Sequence, residues 1–306
     1  MDTRKKIPHP AMAAKRPSKD AATSMQPIIT LIVAPGAEEA LRDCVATLGG
    51  AADWLAPEAC DIAGVDEAEA RAAIGTRPID IIAQPAEVRR KKLLVADLES
   101  TIIENEMLEE LADFLGLRTP VAEITRRAMN GEIDFVGALN ERVALLRGMP
   151  ESVLGEAATR IRLMPGARTL IATLREAGVK TALVSGGFTV FADRIGAELG
   201  FDRVIANRLD ITDGRLAGTV RPPIVTGATK RETLAALAAE FGLTLAETMA
   251  VGDGANDLPM LGAAGLGVAF RAKPAVAAAS RWRIDHADLT GLLYAQGYRE
   301  AEIIAA

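Results

Sequence analysis

Short apolar runs alternate with amphipathic segments along most of the chain, and their spacing predicts its elements. In the first part, strands are predicted at residues 28–33, 53–60 and 80–83, and helices at 37–48 and 66–74. Strands and helices in this arrangement predict a small α+β module over residues 26–86. It contains no catalytic constellation, so we expect it to bind or dimerise rather than to react.

Residues 104–163 show helical patterns throughout and no strand pattern. Glycines and prolines divide this segment into four short helices. Helices that follow one another without a strand predict a compact helical-bundle insert, which would act as a cap.

On both sides of this insert, the pattern is that of a sheet covered by helices. The apolar run 93–96 ends at Asp97, and a hairpin is predicted at Thr212-Asp213-Gly214. Further strands are predicted at 179–184, 203–207, 248–251 and 265–269, and helices at 167–177, 189–199, 229–241, 257–264 and 274–279. Alternating strands and helices predict an α/β fold, a Rossmann-like parallel sheet core with helices on both faces, formed by residues 91–103 and 164–306.

Composition restricts the function more than the fold. The 306 residues are 49% hydrophobic and 25% charged, with a formal net charge of −6, which is typical of a soluble globular protein. The negative charge disfavours nucleic acid and an anionic membrane surface as partners. No run approaches the roughly 20 apolar residues that span a bilayer. Cys44 and Cys60 have the spacing of neither a zinc site nor a redox pair, which favours a reducing cytoplasm.

Residues 1–25 carry basic residues and prolines without an apolar central segment. We therefore predict a disordered tail and no secretory signal. A translation start at Met12 or Met25 would also explain this sequence.

Three predicted strands are followed by polar residues, Asp97, Ser185 and Asp253. Because ligands of parallel sheets bind beyond the carboxyl ends of the strands, these residues are expected to meet at one site. A polar residue at a single strand end is common, so it is the joint pattern that indicates function.

The acidic residues at these strand ends suit a divalent cation. Asp97 and Glu99 are two residues apart on an extended segment, so their carboxylates face one way and would repel without a cation. Asp253 and Asp257 lie in the segment 251–257 (VGDGAND), whose glycines let a ligand approach the backbone. Such hard oxygen ligands suit magnesium. A turn followed by a capped helix is the alternative interpretation of this segment.

Two other features suit an anion. Ser185, Gly186 and Gly187 precede a predicted helix, whose N-terminal N–H groups can hold a phosphate. Lys230 lies near the start of a later predicted helix and, taken alone, would be a surface lysine. Only its position among the other motifs gives it a functional interpretation.

In their order along the chain, these motifs resemble those of the haloacid dehalogenase superfamily of phosphatases. The four signatures are residues 97–101, Ser185, Lys230 and residues 252–257. More narrowly, the helical insert and the segments 184–188 (VSGGF), 206–209 (ANRL) and 251–257 are similar to the phosphoserine phosphatase family. The resemblance covers about residues 90–290. The N-terminal module is similar to the small regulatory (ACT-like) domain of many bacterial members.

The resemblance implies a role for each matched residue. Asp97 would attack phosphorus to form an aspartyl-phosphate, and Glu99 would protonate the leaving group and then assist water. The implied Mg²⁺ ligands are Asp97, the backbone carbonyl of Glu99, and Asp253, with Asp257 supporting the metal site. The implied substrate-binding residues are Ser185, Gly186, Lys230 and Asn256 for the phosphate, Glu106 for the ammonium group, Arg142 for the carboxylate, and Met129 and Phe135 as an apolar cover.

One position departs from the family pattern, which normally has aspartate where Glu99 stands. The added methylene moves the carboxyl group by roughly 1.5 Å, and a misplacement of that size can cost about 10²-fold in rate. Three outcomes stay open: an active enzyme with a compensated pocket, a slow phosphatase with a long-lived phospho-intermediate, or a phosphotransferase.

The function that the resemblance implies is hydrolysis of O-phosphoserine to serine and phosphate, the last step of serine biosynthesis, in the cytoplasm. A phosphatase or phosphotransferase that acts on another small phosphomonoester is one alternative. A non-catalytic regulator that binds phosphoserine or serine is another. The sequence is also compatible with a homodimer formed through the N-terminal module.

Overall fold

The computed structural model describes residues 27–129 and 132–305, without the side chain of Met129. The tail predicted at residues 1–25 lies outside this part of the chain. Within the described residues, the chain forms two sheets, and a group of helices interrupts the second. No helix among the described residues is long and apolar enough to cross a membrane.

The first six elements form the N-terminal module, and they confirm the predicted α+β arrangement. They are β1 (Ile28–Val33), α1 (Glu38–Leu48), β2 (Ala51–Ala56), β3 (Ala59–Ala63), α2 (Glu67–Ile74) and β4 (Ile79–Gln84). The antiparallel sheet has the order β2-β3-β1-β4. The single strand predicted at 53–60 is wrong, because a turn at Pro57 and Glu58 divides it into a hairpin.

The remaining elements form the core and the helical insert. The core begins with β5 (Leu93–Ala96), and the insert contains α3 (Met107–Asp113), α4 (Arg118–Met129), α5 (Phe135–Ala144) and α6 (Ser152–Ala158). The core continues with α7 (Ala167–Glu176), β6 (Lys180–Phe188), α8 (Thr189–Leu199), β7 (Arg203–Thr212), β8 (Arg215–Arg221), α9 (Gly227–Glu240), β9 (Thr248–Gly252), α10 (Leu258–Ala263), β10 (Leu266–Phe270), α11 (Pro274–Ala279), β11 (Trp282–Ile284) and α12 (Gly291–Ala295).

The second sheet is parallel except at one edge, as the α/β prediction requires. Its order is β11-β10-β9-β5-β6-β7-β8. Among the described pairs of this sheet, only β7–β8 is antiparallel. All four residues of β5 are fully buried, since the strand lies between β6 and β9 with apolar clusters on both faces. The carboxyl end of this central strand is therefore the natural place for a ligand site.

Hydrogen bonds join the N-terminal module firmly to the core. The buried Asp80 carboxylate on β4 accepts from the backbone N–H groups of residues 285, 286 and 287. The Trp282 indole donates to the carbonyl of Ala83 at 2.8 Å. The buried Arg89 guanidinium donates to the Asp61 carboxylate and to the carbonyl of Ala295. These contacts hold the module in a defined position on the core.

We predict that Arg89→Met lowers the free energy of unfolding by about 3 kcal/mol, because it leaves a mostly buried carboxylate without its partner. The Arg89–Asp61 pair measures 2.5 Å, and the two side chains are 10% and 14% exposed. Urea denaturation at fixed pH measures the change. Arg203→Met is the control, since Arg203 and Glu240 form a pair that is half exposed, and we expect less than about 1 kcal/mol there. Equal losses in the two variants would contradict the prediction.

Candidate active site

The predicted site residues meet at the carboxyl edge of the second sheet. Asp97 follows β5, Ser185 lies near the end of β6, and Asp253 follows β9. The backbone N–H of Asp97 donates to the carbonyl of Val251 at 3.0 Å, which fixes the first loop against the neighbouring strand. Burial of apolar strands on both faces thus places two carboxylates and a hydroxyl at one edge.

Lys230 lies beneath this edge and is fully buried. Its ammonium nitrogen is 2.8 Å from Asp97 Oδ1 and 2.6 Å from Asp257 Oδ1. Thr226 caps α9 by accepting from the N–H of Thr229, which sets the first turn of the helix and points Lys230 inward. Burial disfavours the ammonium, but attraction to Asp257 and Asp97 outweighs burial and raises the pKa of Lys230.

Three buried carboxylates converge above the lysine. Oxygens of Asp97, Asp253 and Asp257 lie within 4.8 Å of one another. The N–H groups of Asp253 and Gly254 donate to Asp257 Oδ2 at 3.1 and 2.9 Å, which fixes that carboxylate. Burial, followed by repulsion from Asp257, raises the pKa of Asp97 against the attraction of Lys230. An oxygen-only donor set with excess negative charge is the kind that a hard divalent cation prefers.

The Glu99 carboxylate lines the same cavity as Asp97 and Asp253 and is held by the start of α3. Its Oε1 accepts from the N–H of Met107 at 3.0 Å, at the first residue of α3. A Cβ added to Gly187 would lie 3.0 Å from the carboxyl group, so a glycine there provides the space for the longer side chain. Burial, then repulsion from Glu106, raises the pKa of Glu99 to about 8.

A cavity of about 310 Å³ opens over the carboxylates, between the core and the helical insert. Glu106 accepts from the Ser100 hydroxyl at 2.8 Å. Arg142 on α5 donates to the Thr125 hydroxyl at 3.1 Å. Its guanidinium and the Glu106 carboxylate both line the cavity, as do Asp97 and Asp253. Arg142 and Glu106 offer opposite charges at separate points.

The other predicted residues occupy three kinds of position. Asn256, Gly186 and Phe135 line the cavity, and a Cβ added to Gly186 would lie 3.0 Å from the Phe135 ring. Ser185 is buried beside the cavity, where its hydroxyl accepts from the N–H of Gly187 at 2.9 Å. The side chain of Met129 lies outside the described part of the chain.

Sequence reasoning missed two residues that contact the site. The Lys273 ammonium lies 3.2 Å from Asp253 Oδ2 and 3.9 Å from Glu106 Oε1, and it lines the cavity. Asn207 donates to the carbonyl of Gly186 at 2.8 Å and holds residues 185–187 in place. Lys273 lies three residues past the end of β10, so only an extension of the strand-end rule to the whole loop after that strand would have found it.

The fold and this acidic site at the edge of its sheet define a class of α/β hydrolases. The family model of haloacid dehalogenase-like hydrolases matches residues 94–262, more than half of the chain, and the chain belongs to this family. A "HAD family hydrolase" from Salmonella enterica serovar Typhi is 30% identical, with a TM-score of 0.79 over 88% of this chain and 98% of that one.

Within this family, the chain is similar to phosphoserine phosphatases, as its motifs predicted. The enzyme of that name from Streptococcus thermophilus is 48% identical, over 65% of this chain and 93% of its own length. The Streptomyces coelicolor one is 43% identical over 80% of this chain, which spans only 61% of that relative. A structure described as a phospho-aspartyl intermediate analogue of phosphoserine phosphatase is 39% identical, with a TM-score of 0.64 over 67% of this chain and 98% of its own.

Proposed function

We propose that the protein is a magnesium-dependent phosphatase that hydrolyses O-phosphoserine to serine and phosphate. The observation that carries the proposal is the lining of the 310 Å³ cavity, which brings Asp97 together with Glu106 and Arg142. A zwitterionic amino acid needs an anion and a cation at separate points, and arginine binds carboxylates in a bidentate manner. The likeness to relatives named phosphoserine phosphatase supports the same substrate.

The residues divide the reaction into two displacements. A carboxylate oxygen of Asp97 forms a bond to phosphorus as the bond between phosphorus and the serine oxygen breaks, and Glu99 gives its proton to that oxygen. Water then attacks the aspartyl-phosphate, Glu99 takes the water's proton, and phosphate leaves with Asp97 restored. Lys230, Ser185 and the Gly186 N–H would bind the phosphate oxygens and stabilise their charge.

Asp97, Asp253 and the carbonyl of Glu99 would hold Mg²⁺, with Asp257 supporting the metal site. When bound, the cation offsets the repulsion between the carboxylate and the phosphate.

We also expect the cytoplasm as the location. A homodimer through the N-terminal module stays a prediction.

The direct test compares phosphate release from O-phosphoserine and from O-phosphoethanolamine, which lacks the carboxylate. With magnesium, we expect the first substrate to be favoured in kcat/KM, since one charge-assisted pair contributes about 1.5–3 kcal/mol. Without magnesium we expect no release above background. Equal rates with both substrates, or no release from either, would contradict the proposal.

Arg142→Met is expected to lower kcat/KM for O-phosphoserine by about 10–100-fold, because it removes the carboxylate-binding guanidinium. The same variant should lower kcat/KM for O-phosphoethanolamine much less. The matched control Arg147→Met removes an exposed arginine three residues past the end of α5, and we expect it to leave both values near those of the wild type. A similar loss for both substrates would mean that Arg142 stabilises the insert rather than binds the carboxylate.

Glu99→Asp is expected to lower kcat by about 10–100-fold, although aspartate is the usual residue of the family. The shorter side chain would lose the bond to the Met107 N–H and leave the space over Gly187 unfilled. Of the three outcomes considered for Glu99, we therefore favour an active enzyme whose pocket compensates for the longer side chain over a slow phosphatase or a phosphotransferase. Steady-state and burst kinetics on both proteins measure it, and a tenfold rise in kcat would support the slow-enzyme interpretation instead.

A further inference from the structure

A second cavity lies between the N-terminal module and the core. Its volume is about 550 Å³, and it shares no lining residue with the catalytic cavity. One wall contains the end of α2, the following turn and the start of β4, and the other contains the end of α11 and the residues around β11. None of the catalytic motifs contributes to it.

Arginines line both walls of this cavity, which we call the arginine cavity. Arg71 and Arg77 come from the module, and Arg281 and Arg283 come from the core. Four guanidinium groups around one cavity are unusual in a chain whose formal net charge is −6. Like charges held near one another are unfavourable unless an anion lies between them.

Two of these arginines already have carboxylate partners. Arg71 pairs with Glu67 at 2.7 Å, and Arg283 pairs with Asp285 at 2.8 Å. The remaining carboxylate of the cavity, Asp80, is buried and accepts from three backbone N–H groups. The acidic residues of the cavity are thus occupied by contacts of their own.

Arg77 and Arg281 have no carboxylate partner within residues 27–129 and 132–305. Arg77 donates to the carbonyl of Ala73, and the Arg281 guanidinium lies 4.5 Å from the centroid of the Trp282 ring. Each of these contacts uses only part of the guanidinium, which carries five N–H donors. Free N–H donors therefore remain on both walls, those of Arg77 on the N-terminal module and those of Arg281 on the core.

We propose that the arginine cavity binds a small oligoanion, bearing phosphate or carboxylate groups, that bridges Arg77 of the module and Arg281 of the core. The planar fork of a guanidinium matches both kinds of group in a bidentate manner. Two forks on opposite walls select a molecule with at least two anionic groups. Its size suits the cavity, whose volume lies in the range of small-molecule sites.

Helix α11 links the arginine cavity to the catalytic cavity. Residues 277 and 278 of α11 line the arginine cavity, and Lys273, which lines the catalytic cavity, immediately precedes this helix. An anion against the end of α11 restrains the helix and the backbone next to Lys273. We therefore expect slower amide hydrogen exchange in α11 when the anion is bound.

Isothermal titration calorimetry in metal-free, low-salt buffer tests the proposal, with inorganic pyrophosphate and citrate as the two probes. Arg77→Gln/Arg281→Gln is expected to weaken binding by about tenfold or more, since each lost contact is charge-assisted. Arg42→Gln/Arg194→Gln is the matched control. It removes one exposed arginine from the module and one from the core, and we expect it to bind like the wild type. Tighter binding of pyrophosphate would indicate a phosphate-bearing ligand, and tighter binding of citrate a polycarboxylate.

Hydrogen exchange with the better probe then locates the anion. In the wild type and the control we expect protection in residues 71–81 and 274–286, and none of it in Arg77→Gln/Arg281→Gln. Three results would overturn the proposal. They are that neither probe binds, that binding is unchanged in that variant, or that protection is confined to the catalytic loops. Because neither calorimetry nor hydrogen exchange measures hydrolysis, a failure of the anion-binding proposal is distinct from a failure of the proposed function.

Discussion

Asp97→Asn is expected to lower kcat for O-phosphoserine by at least about 10⁴-fold, because an amide nitrogen cannot serve as the nucleophile. In the structure, Asp97 Oδ1 lies 2.8 Å from the Lys230 ammonium and accepts from the N–H of Leu98 at 2.7 Å. The other oxygen, Oδ2, accepts no hydrogen bond from the described residues, which leaves it for attack on phosphorus.

Asparagine can retain these contacts while losing the attacking atom. Its carbonyl oxygen fits the Oδ1 position, so the amide nitrogen replaces Oδ2. The substitution also removes a carboxylate whose pKa burial raises. We therefore expect the thermal unfolding midpoint to stay close to the wild-type value, so that loss of rate reflects loss of chemistry.

Mass spectrometry of the intact, acid-quenched protein provides the sharpest measurement. With O-phosphoserine, the wild type should carry one added phosphoryl group, which dilute alkali removes, as expected for an acyl phosphate. Asp193→Asn, which changes an exposed carboxylate on α8, should do the same, and Asp97→Asn should carry none. A phosphoryl group on Asp97→Asn would assign the nucleophile to another residue.

The placement of Asp97 shows how far the sequence alone reaches. A wholly apolar run is buried on both faces of a parallel sheet, so the residue that follows it must emerge at the carboxyl edge. The same argument placed Asp253, and both lie where it predicts. Glycines and prolines likewise indicated the helical insert, since they separate short helices in a segment without strands.

Predictions were wrong where tertiary contacts outweigh local preference. The strand predicted at 179–184 was expected to end before Ser185, but β6 continues through Gly186 and Gly187 to Phe188, which pairs with Asn207 of β7. The helix predicted at 189–199 is confirmed, since α8 begins at Thr189. Residues 185–187 have no partner of their own in β7, and the Asn207 side chain instead donates to the carbonyl of Gly186, so contacts across the sheet decide the conformation of these glycines.

Other features were too small or too dependent on distant residues to be predicted. Strand β11 has only three residues, fewer than a periodic pattern needs. The direction of the Glu99 side chain depends on the Met107 N–H and on the space over Gly187. The arginine cavity forms only when β4 packs beside β11, so its residues show no common motif in the sequence.

The burial of Lys230 leads to the second large effect. In metal-free buffer, Lys230→Met is expected to lower the free energy of unfolding by about 3–5 kcal/mol, since it removes the partner of two buried carboxylates. Both Lys230 and Asp257 are fully buried, so water replaces little of the lost interaction. The variant should also lose at least about 10³-fold in kcat, because a cation next to the phosphate stabilises the transition state.

Lys273→Met is the matched control for stability. It makes the same substitution in the same site, but its side chain is 36% exposed and lies 3.2 Å from Asp253 and 3.9 Å from Glu106. Because Lys273 is partly exposed while Asp253 is only 8% exposed, we expect Lys273→Met to lower the free energy of unfolding by about 1–2 kcal/mol, less than Lys230→Met does. Urea denaturation of both variants provides the comparison.

A second substitution separates lost charge pairing from lost packing. Asp257→Asn removes one of the carboxylates that Lys230→Met leaves unpaired, while its side-chain oxygen can still accept from the N–H groups of Asp253 and Gly254. The double variant should therefore be more stable than Lys230→Met alone, with a coupling energy of about 2–3 kcal/mol in the double-mutant cycle. Additive losses would instead mean that Lys230 stabilises the fold through its packed side chain rather than through its charge.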